Sequence, residues 1–192
     1  MHTIGVISIQ GDVSEHVRAL EKAAGDLNCE IVGIKTKGIV PYCDGLVIPG
    51  GESTTISTLL RFEGIDKEIV EHKHIPMLGT CAGLIILSCP DDEGVSGLKL
   101  MDMRVKRNAF GRQVESFEVP LRVTIFDSPF AGIFIRAPAI IQVGNDVDIL
   151  SRFKGYGVAA QQGNKLALAF HPELSNDLRF HEYFLKLVDH NG

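Results

Sequence analysis

No apolar run in this 192-residue chain approaches the roughly 18 residues of a membrane-spanning helix, so a membrane partner is not expected. Basic charge is scarce as well. Nineteen Lys and Arg face 24 Asp and Glu, and the net charge of −5 argues against nucleic acid as a partner. The four cysteines, Cys29, Cys43, Cys81 and Cys89, form no C-x-x-C pair and no metal-like cluster, which points to a reducing, cytoplasmic compartment. The first residues, Met-His-Thr-Ile-Gly-Val-Ile-Ser-Ile, lack a basic n-region and read as a strand, not a signal peptide. No repeat, low-complexity tract or linker divides the chain. A single domain over residues 1–192 is expected, long enough to bury about 70% of its unfolded surface without staples.

What is present is an alternation of apolar and amphipathic segments. Residues 3–9, 29–35, 45–48 and 75–79 read as strands. Between them, a helix reaching Ala24 with Asp12 or Ser14 as its cap, and helical segments over 53–62 and 66–71, fit the signature of a parallel sheet covered on both faces. The second half is strand-rich, over 103–106, 116–123, 132–136, 140–143, 147–153, 156–162 and 165–170, and predicts an antiparallel extension. A last helix over 176–189, with Ser175 as its cap, carries Leu178, Tyr183, Phe184, Leu187 and Val188 at helical spacing.

Two segments carry chemistry. Gly79-Thr80-Cys81-Ala82-Gly83 places a cysteine between an apolar strand and a helix start, the arrangement of a nucleophile elbow. The helix N-terminus directs free N–H groups and a partial positive charge at the sulfur, favouring thiolate over thiol. Ninety residues on, His171-Pro172-Glu173 reads as extended, because Pro172 steers His171 from the α region, and i, i+2 side chains then share a face. A carboxylate beside an imidazole fixes its tautomer, which is the orienting role in a nucleophile–base–orienter triad. Each part alone has a plain alternative, a buried small Cys or a surface His–Glu pair; the combination favours catalysis.

Pro49-Gly50-Gly51-Glu52-Ser53-Thr54-Thr55 follows one strand and opens a helix at the sheet edge where ligands bind. It reads as an ordinary capped turn, as a phosphate cradle lacking the Walker lysine, or as an oxyanion hole. The last reading is preferred, with N–H groups near Gly50 and Gly51 joined by that of Ala82. Arg104, Lys106, Arg107 and Arg112 form a basic patch; the first two read as a solvated strand edge. Arg107 and Arg136 could meet an anionic substrate group or form structural ion pairs. The histidines His2, His16, His72, His74, His181 and His190 read as surface or core residues, and Gln10 as a crevice residue by position.

These residues resemble the class I glutamine amidotransferases. Gln10-Gly-Asp, Pro49-Gly-Gly-Glu-Ser-Thr, Gly79-Thr-Cys-Ala-Gly-Leu, Arg107-Asn-Ala-Phe-Gly-Arg-Gln, Phe134-Ile-Arg-Ala-Pro and Phe170-His-Pro-Glu-Leu are similar to the glutaminase subunits of pyridoxal 5′-phosphate synthases, along nearly the whole chain. The resemblance implies a doubly wound, flavodoxin-like α/β fold with a mostly parallel sheet and an antiparallel extension. It implies Cys81 as nucleophile with His171 and Glu173 as its relay, and glutamine contacts from Gly51, Glu52, Ser53, Arg107, Ile135 and Arg136. It implies no metal or organic cofactor. The partner it implies is a separate (β/α)8 synthase subunit that takes up ammonia for pyridoxal 5′-phosphate. Three rivals remain at this stage: another Cys-dependent hydrolase on this fold, a glutaminase serving a different synthase, and an inactive regulatory or scaffolding subunit.

Overall fold

The computed structural model describes residues 1–91, 94–110 and 116–191. Five parallel strands form one half of the main sheet: β1 (His2–Ile7), β2 (Cys29–Ile34), β3 (Gly45–Ile48), β4 (Met77–Thr80) and, late in sequence, β12 (Lys165–Leu168). Their order is β2-β1-β3-β4-β12, the flavodoxin-like arrangement in which winding reverses beside β1. β3 and β4 are buried at every position, as continuous apolar runs covered on both faces should be. The helices of this half are α1 (Val13–Ala24), α2 (Ser53–Glu63), α3 (Ile65–Glu71), α4 (Ala82–Leu87) and α5 (Arg179–Asp189). Right-handed crossovers from β1 to β2 on one side and β3 to β4 on the other put α1 and α2 on opposite faces. Accordingly α1 packs on α5, whereas α2 packs on α3 and α4. No helix among the described residues is long and apolar enough to cross a membrane.

Beyond β12 the sheet continues with β11 (Tyr156–Gln162), β9 (Ala139–Val143), β6 (Met103–Lys106) and the two-residue β5 (Cys89–Pro90); β10 (Asp148–Phe153) hangs on β11. β11, β9 and β6 pair antiparallel, which is the expected extension. β7 (Ser116–Leu121) and β8 (Phe130–Ile135) instead form a separate two-stranded sheet. Its Phe117 and Phe134 rings stack at 4.8 Å, and Phe134 and Phe130 both meet Phe170, at 5.5 and 5.6 Å. Phe170 is fully buried and immediately precedes His171, so this aromatic cluster joins the hairpin to the end of β12.

Four local expectations change. Asp12 holds the N-cap position of α1 but makes no side-chain cap bond, and the Ser14 hydroxyl bonds Glu15 instead. α5 begins at Arg179 behind Leu178; the Ser175 hydroxyl accepts from the Asp177 N–H, and Asp177 grips Arg179. The inward stripe of α5 is Phe180, His181, Phe184, Leu185 and Val188, at the spacing of successive helical turns. β12 stops at Leu168, and Pro172–Leu174 form a 3-10 turn rather than an extended segment. Pro172 sits at the first helical position, where its missing N–H costs nothing. His171, just outside, keeps the non-helical φ −105°, ψ 86° that a residue before proline prefers.

Candidate active site

The loops that follow β1, β3, β4 and β12 meet at the carboxyl edge of the sheet and border a crevice of about 340 Å³. Gln10, Gly51, Glu52, Ser53, Cys81, Ala82, Arg107, Ile135, Arg136 and His171 all line it, together with Asp12 and Asn108. Every residue expected at the site is therefore in or beside one crevice, with two exceptions in placement. Glu173 lies behind His171, and Gly50 is buried against the His171 ring.

The elbow is set by close packing. Cys81 is 7% exposed and takes φ 49°, ψ −100°, a conformation that L-residues adopt at a cost of about 1–3 kcal/mol. Its N–H donates to the Leu168 carbonyl at 2.8 Å, tying the nucleophile to the end of β12. Gly83 lets α4 approach β3, because a methyl there would collide with the Ile48 carbonyl oxygen. α4 is only six residues long, so its free first N–H groups, rather than a long aligned dipole, are what it offers the sulfur. The Cys81 Sγ is 3.9 Å from the Ile135 carbonyl oxygen.

His171 is held from three sides. Its N–H donates to the Ile133 carbonyl at 2.8 Å, and its Nδ1 lies 2.6 Å from Glu173 Oε1 and 3.3 Å from Asp12 Oδ2. Glu173 is buried, so the i, i+2 pairing expected of a strand is made instead across the 3-10 turn. Burial works against charge on the imidazole. Its neighbours Asp12, Cys81 and Glu173 outweigh it and push the His171 pKa up to about 12. The same contact to His171 holds the Asp12 carboxyl below its ordinary range. For Glu173 burial wins, raising the carboxyl despite His171. Asp12, His171 and Glu173 are the one group of three metal-type ligands among the described residues.

The loop after β3 serves two purposes. Glu52 is the N-cap of α2, accepting from the Thr54 and Thr55 N–H groups at 3.3 and 2.7 Å and from both threonine hydroxyls. These bonds, those of Thr54 first, lower its pKa to about 2, so it is an anion fixed at the crevice wall. The ordinary capped turn and a ligand-facing role therefore coexist. Arg107 approaches Glu52 Oε1 at 3.5 Å. The Gln10 side-chain amide oxygen Oε1 accepts from the Glu52 N–H at 2.9 Å, which fixes its crevice position. The Gly50 carbonyl accepts from the Asp12 N–H at 3.2 Å, and Gly51 turns at φ +149°. Gly50 packs on the imidazole: a methyl there would lie 2.5 Å from His171 Cε1.

Arg104 and Lys106 are exposed on β6, and Arg104 pairs with Asp91, as the solvated-edge reading requires. Arg112 lies outside the described residues. Sequence reasoning missed Asp12 as a partner of His171, and it missed the buried pair His16–His181 behind Glu173. The Gln10-Gly11-Asp12 run flagged the first only as a motif. Nothing local could flag the second, whose members are 165 residues apart.

The fold is that of known amidotransferases. The solved structures it is similar to include a glutamine amidotransferase with a TM-score of 0.87 and 40% identity, covering 97% of this chain and 98% of that one. A glutamine amidotransferase from Thermotoga maritima shares the fold at a TM-score of 0.64 and 15% identity, over 98% and 94% of the two chains. Among curated relatives, the Methanosarcina mazei pyridoxal 5′-phosphate synthase subunit PdxT is 58% identical over 96% of this chain and 98% of its own length. The Archaeoglobus fulgidus protein of the same name is 50% identical, over 96% and 97%. With the SNO glutamine amidotransferase family matching residues 6–190, this chain belongs to that family.

Proposed function

We propose that this chain, working as a single domain in the cytoplasm, is the glutaminase subunit of a pyridoxal 5′-phosphate synthase, hydrolysing L-glutamine and passing ammonia to a (β/α)8 synthase subunit. The observation that carries the reading is the 2.6 Å contact between His171 Nδ1 and Glu173 in a crevice that also holds Cys81. The names and nearly full-length similarity of the relatives support the choice of synthase.

In this reading the Cys81 thiolate adds to the side-chain amide carbon of glutamine. The N–H groups of Gly51 and Ala82, with Gly50 shaping their loop, receive the oxyanion. His171 gives its Nε2 proton to the departing nitrogen, ammonia leaves, and a γ-glutamyl thioester remains. His171 then takes a proton from water, the hydroxide adds to the thioester, and expulsion of the thiolate releases glutamate. Glu173 holds the imidazole with Nε2 toward the sulfur and balances its charge. Fixed anionic Glu52 suits the α-ammonium of glutamine. Arg107 and Arg136 suit its α-carboxylate, with Ser53 and the Ile135 backbone completing the wall.

Ammonia is mostly protonated near neutral pH, so hydrolysis is useful only when coupled to a synthase. The test is glutamate release by the purified chain with and without the synthase, alongside synthase turnover on glutamine and on ammonium salt. Glutamine-dependent synthase turnover that needs this chain is expected, with hydrolysis by the chain weak when the synthase is left out. No glutamate release in either state, or release that never feeds the synthase, overturns the reading.

A further inference from the structure

Behind Glu173 the polar contacts continue inward to two histidines that no step of the reaction uses. His16 on α1, His181 on α5 and the Glu173 side chain are all buried, the first two without any exposed surface. His16 Nδ1 is 3.2 Å from His181 Nε2, and His16 Nε2 is 2.9 Å from the Thr80 hydroxyl and 3.3 Å from Glu173 Oε2. Thr80 is the residue before Cys81, so this one imidazole touches both the orienting carboxylate and the elbow.

A neutral His16 with its proton on Nε2 serves both neighbours of that nitrogen, the Thr80 hydroxyl at 2.9 Å and Glu173 Oε2 at 3.3 Å. Glu173 Oε2 is buried and has no hydrogen bond of ordinary geometry, and His16 Nε2 is the nitrogen that faces it. Against the ionised Glu173 that the triad uses, a bare nitrogen would set lone pair against lone pair; an N–H supplies the donor the oxygen lacks, and the Thr80 hydroxyl accepts from the same N–H. With Nε2 protonated and the ring neutral, Nδ1 is an acceptor, and His181 Nε2–H must be its donor. His181 Nδ1 is then bare, and it is the atom of that ring left without a partner. Burial favours neutrality in both rings. It lowers His16 well below the ordinary histidine value, helped by His181 and His171, and lowers His181 to about 4.

We propose that His16 is a positioning residue, fixed by His181 as the Nε2–H tautomer, whose donation to Glu173 Oε2 holds the carboxylate in line with His171 Nδ1. The proposal rests on the triad reading above. It adds that the relay continues one residue inward and couples, through Thr80, to the nucleophile's own strand. The charged and titratable groups around this chain are His171, Asp12 and Glu173 on the crevice side and His181 on the α5 side.

The experiment measures glutamine hydrolysis in the assembled synthase complex for His16→Leu, Glu173→Ala and the double variant. His16→Leu is expected to lower kcat by about 10- to 100-fold with little change in KM, as a displaced catalytic group does. In the Glu173→Ala background the same change should cost nothing further, because His16 acts through Glu173. His16→Gln keeps an N–H near the Nε2 position and should recover most of the loss. Full additivity in the double variant, or wild-type kcat in His16→Leu, overturns the proposal while leaving the triad intact. Wild-type kcat in Glu173→Ala would instead overturn the triad reading. Should His16→Leu fail to fold, 15N NMR of the histidine-labelled wild-type chain decides. A protonated Nε2 and bare Nδ1 on His16 are expected, and the opposite tautomer or an imidazolium refutes the assignment.

Discussion

The parallel half of the sheet delivers Gln10, Gly51, Cys81 and His171 to the crevice from the ends of β1, β3, β4 and β12, whereas the antiparallel strands reach it through Arg107 after β6 and through Ile135 and Arg136 at the end of the separate β7–β8 hairpin. The two contributions are built differently. Cys81 and His171 are nearly buried, and their backbone N–H groups donate to Leu168 and Ile133 at 2.8 Å. Arg136 is an exposed side chain on a backbone turn at φ 42°. Bond-making needs atoms held to a fraction of an ångström; holding a carboxylate needs reach and charge. The division of labour between chemistry and recognition follows the division between parallel and antiparallel strands.

The widest separation should come from the parallel half. Cys81→Ala is expected to lower glutamine hydrolysis on the order of 10⁴-fold or more with the fold kept, since one small side chain replaces another. A glutamine-derived electrophile should label Cys81 once. Cys29 and Cys43 should be spared, since burial pushes their thiols up, that of Cys43 to about 11. Equal labelling, read by peptide mass, would erase the distinction. At the seam, Phe170→Ala removes a fully buried ring that packs on Phe130, Phe134 and Phe180, and should cost about 3–5 kcal/mol in urea unfolding. A loss near zero would mean the hairpin docks without it.

Among the antiparallel strands, Arg107→Ala or Arg136→Ala should raise KM for glutamine by about 10- to 100-fold, the worth of one charged hydrogen bond, with kcat far less affected. A matching drop in kcat would place these residues in the chemistry and dissolve the contrast. The smallest effect concerns Glu52. Its folded pKa of about 2 lies below the ordinary value of 4.5, so its ionised form stabilises the fold above pH 4.5, and that contribution is lost as pH falls toward 2. The Tm gap between wild type and Glu52→Ala should be constant near neutrality and close across that interval. A gap unchanged at pH 2 would show that charge plays no part in the cap.

Much of this was legible because the parallel half writes itself in continuous apolar runs. β3 was readable to the residue at both ends and β4 to within two residues at each, and the elbow followed from glycines that permit helix and strand to touch. The conformation around Pro172 was not, because proline signals both an extended predecessor and a helical first position; the structure uses both at once. The hairpin β7–β8 carries the same alternation as a sheet strand, and only tertiary packing of Phe117 and Phe134 sets it apart. Asp12 fits the capping pattern of α1, but His171 claims its carboxylate. The second half of the Arg107 motif, residues 111–113, falls outside the described residues.

Five described residues other than glycine have positive φ, and three of them, Cys81, Asn108 and Arg136, line the crevice. Asparagine tolerates that conformation; cysteine and arginine do so against a steric cost of about 1–3 kcal/mol each. A laboratory selection for heat tolerance alone would thus be rewarded for replacing Cys81 or Arg136 by glycine, relieving the backbone while discarding the sulfur or the guanidinium. The crevice can be kept through such a selection only if each round also demands turnover.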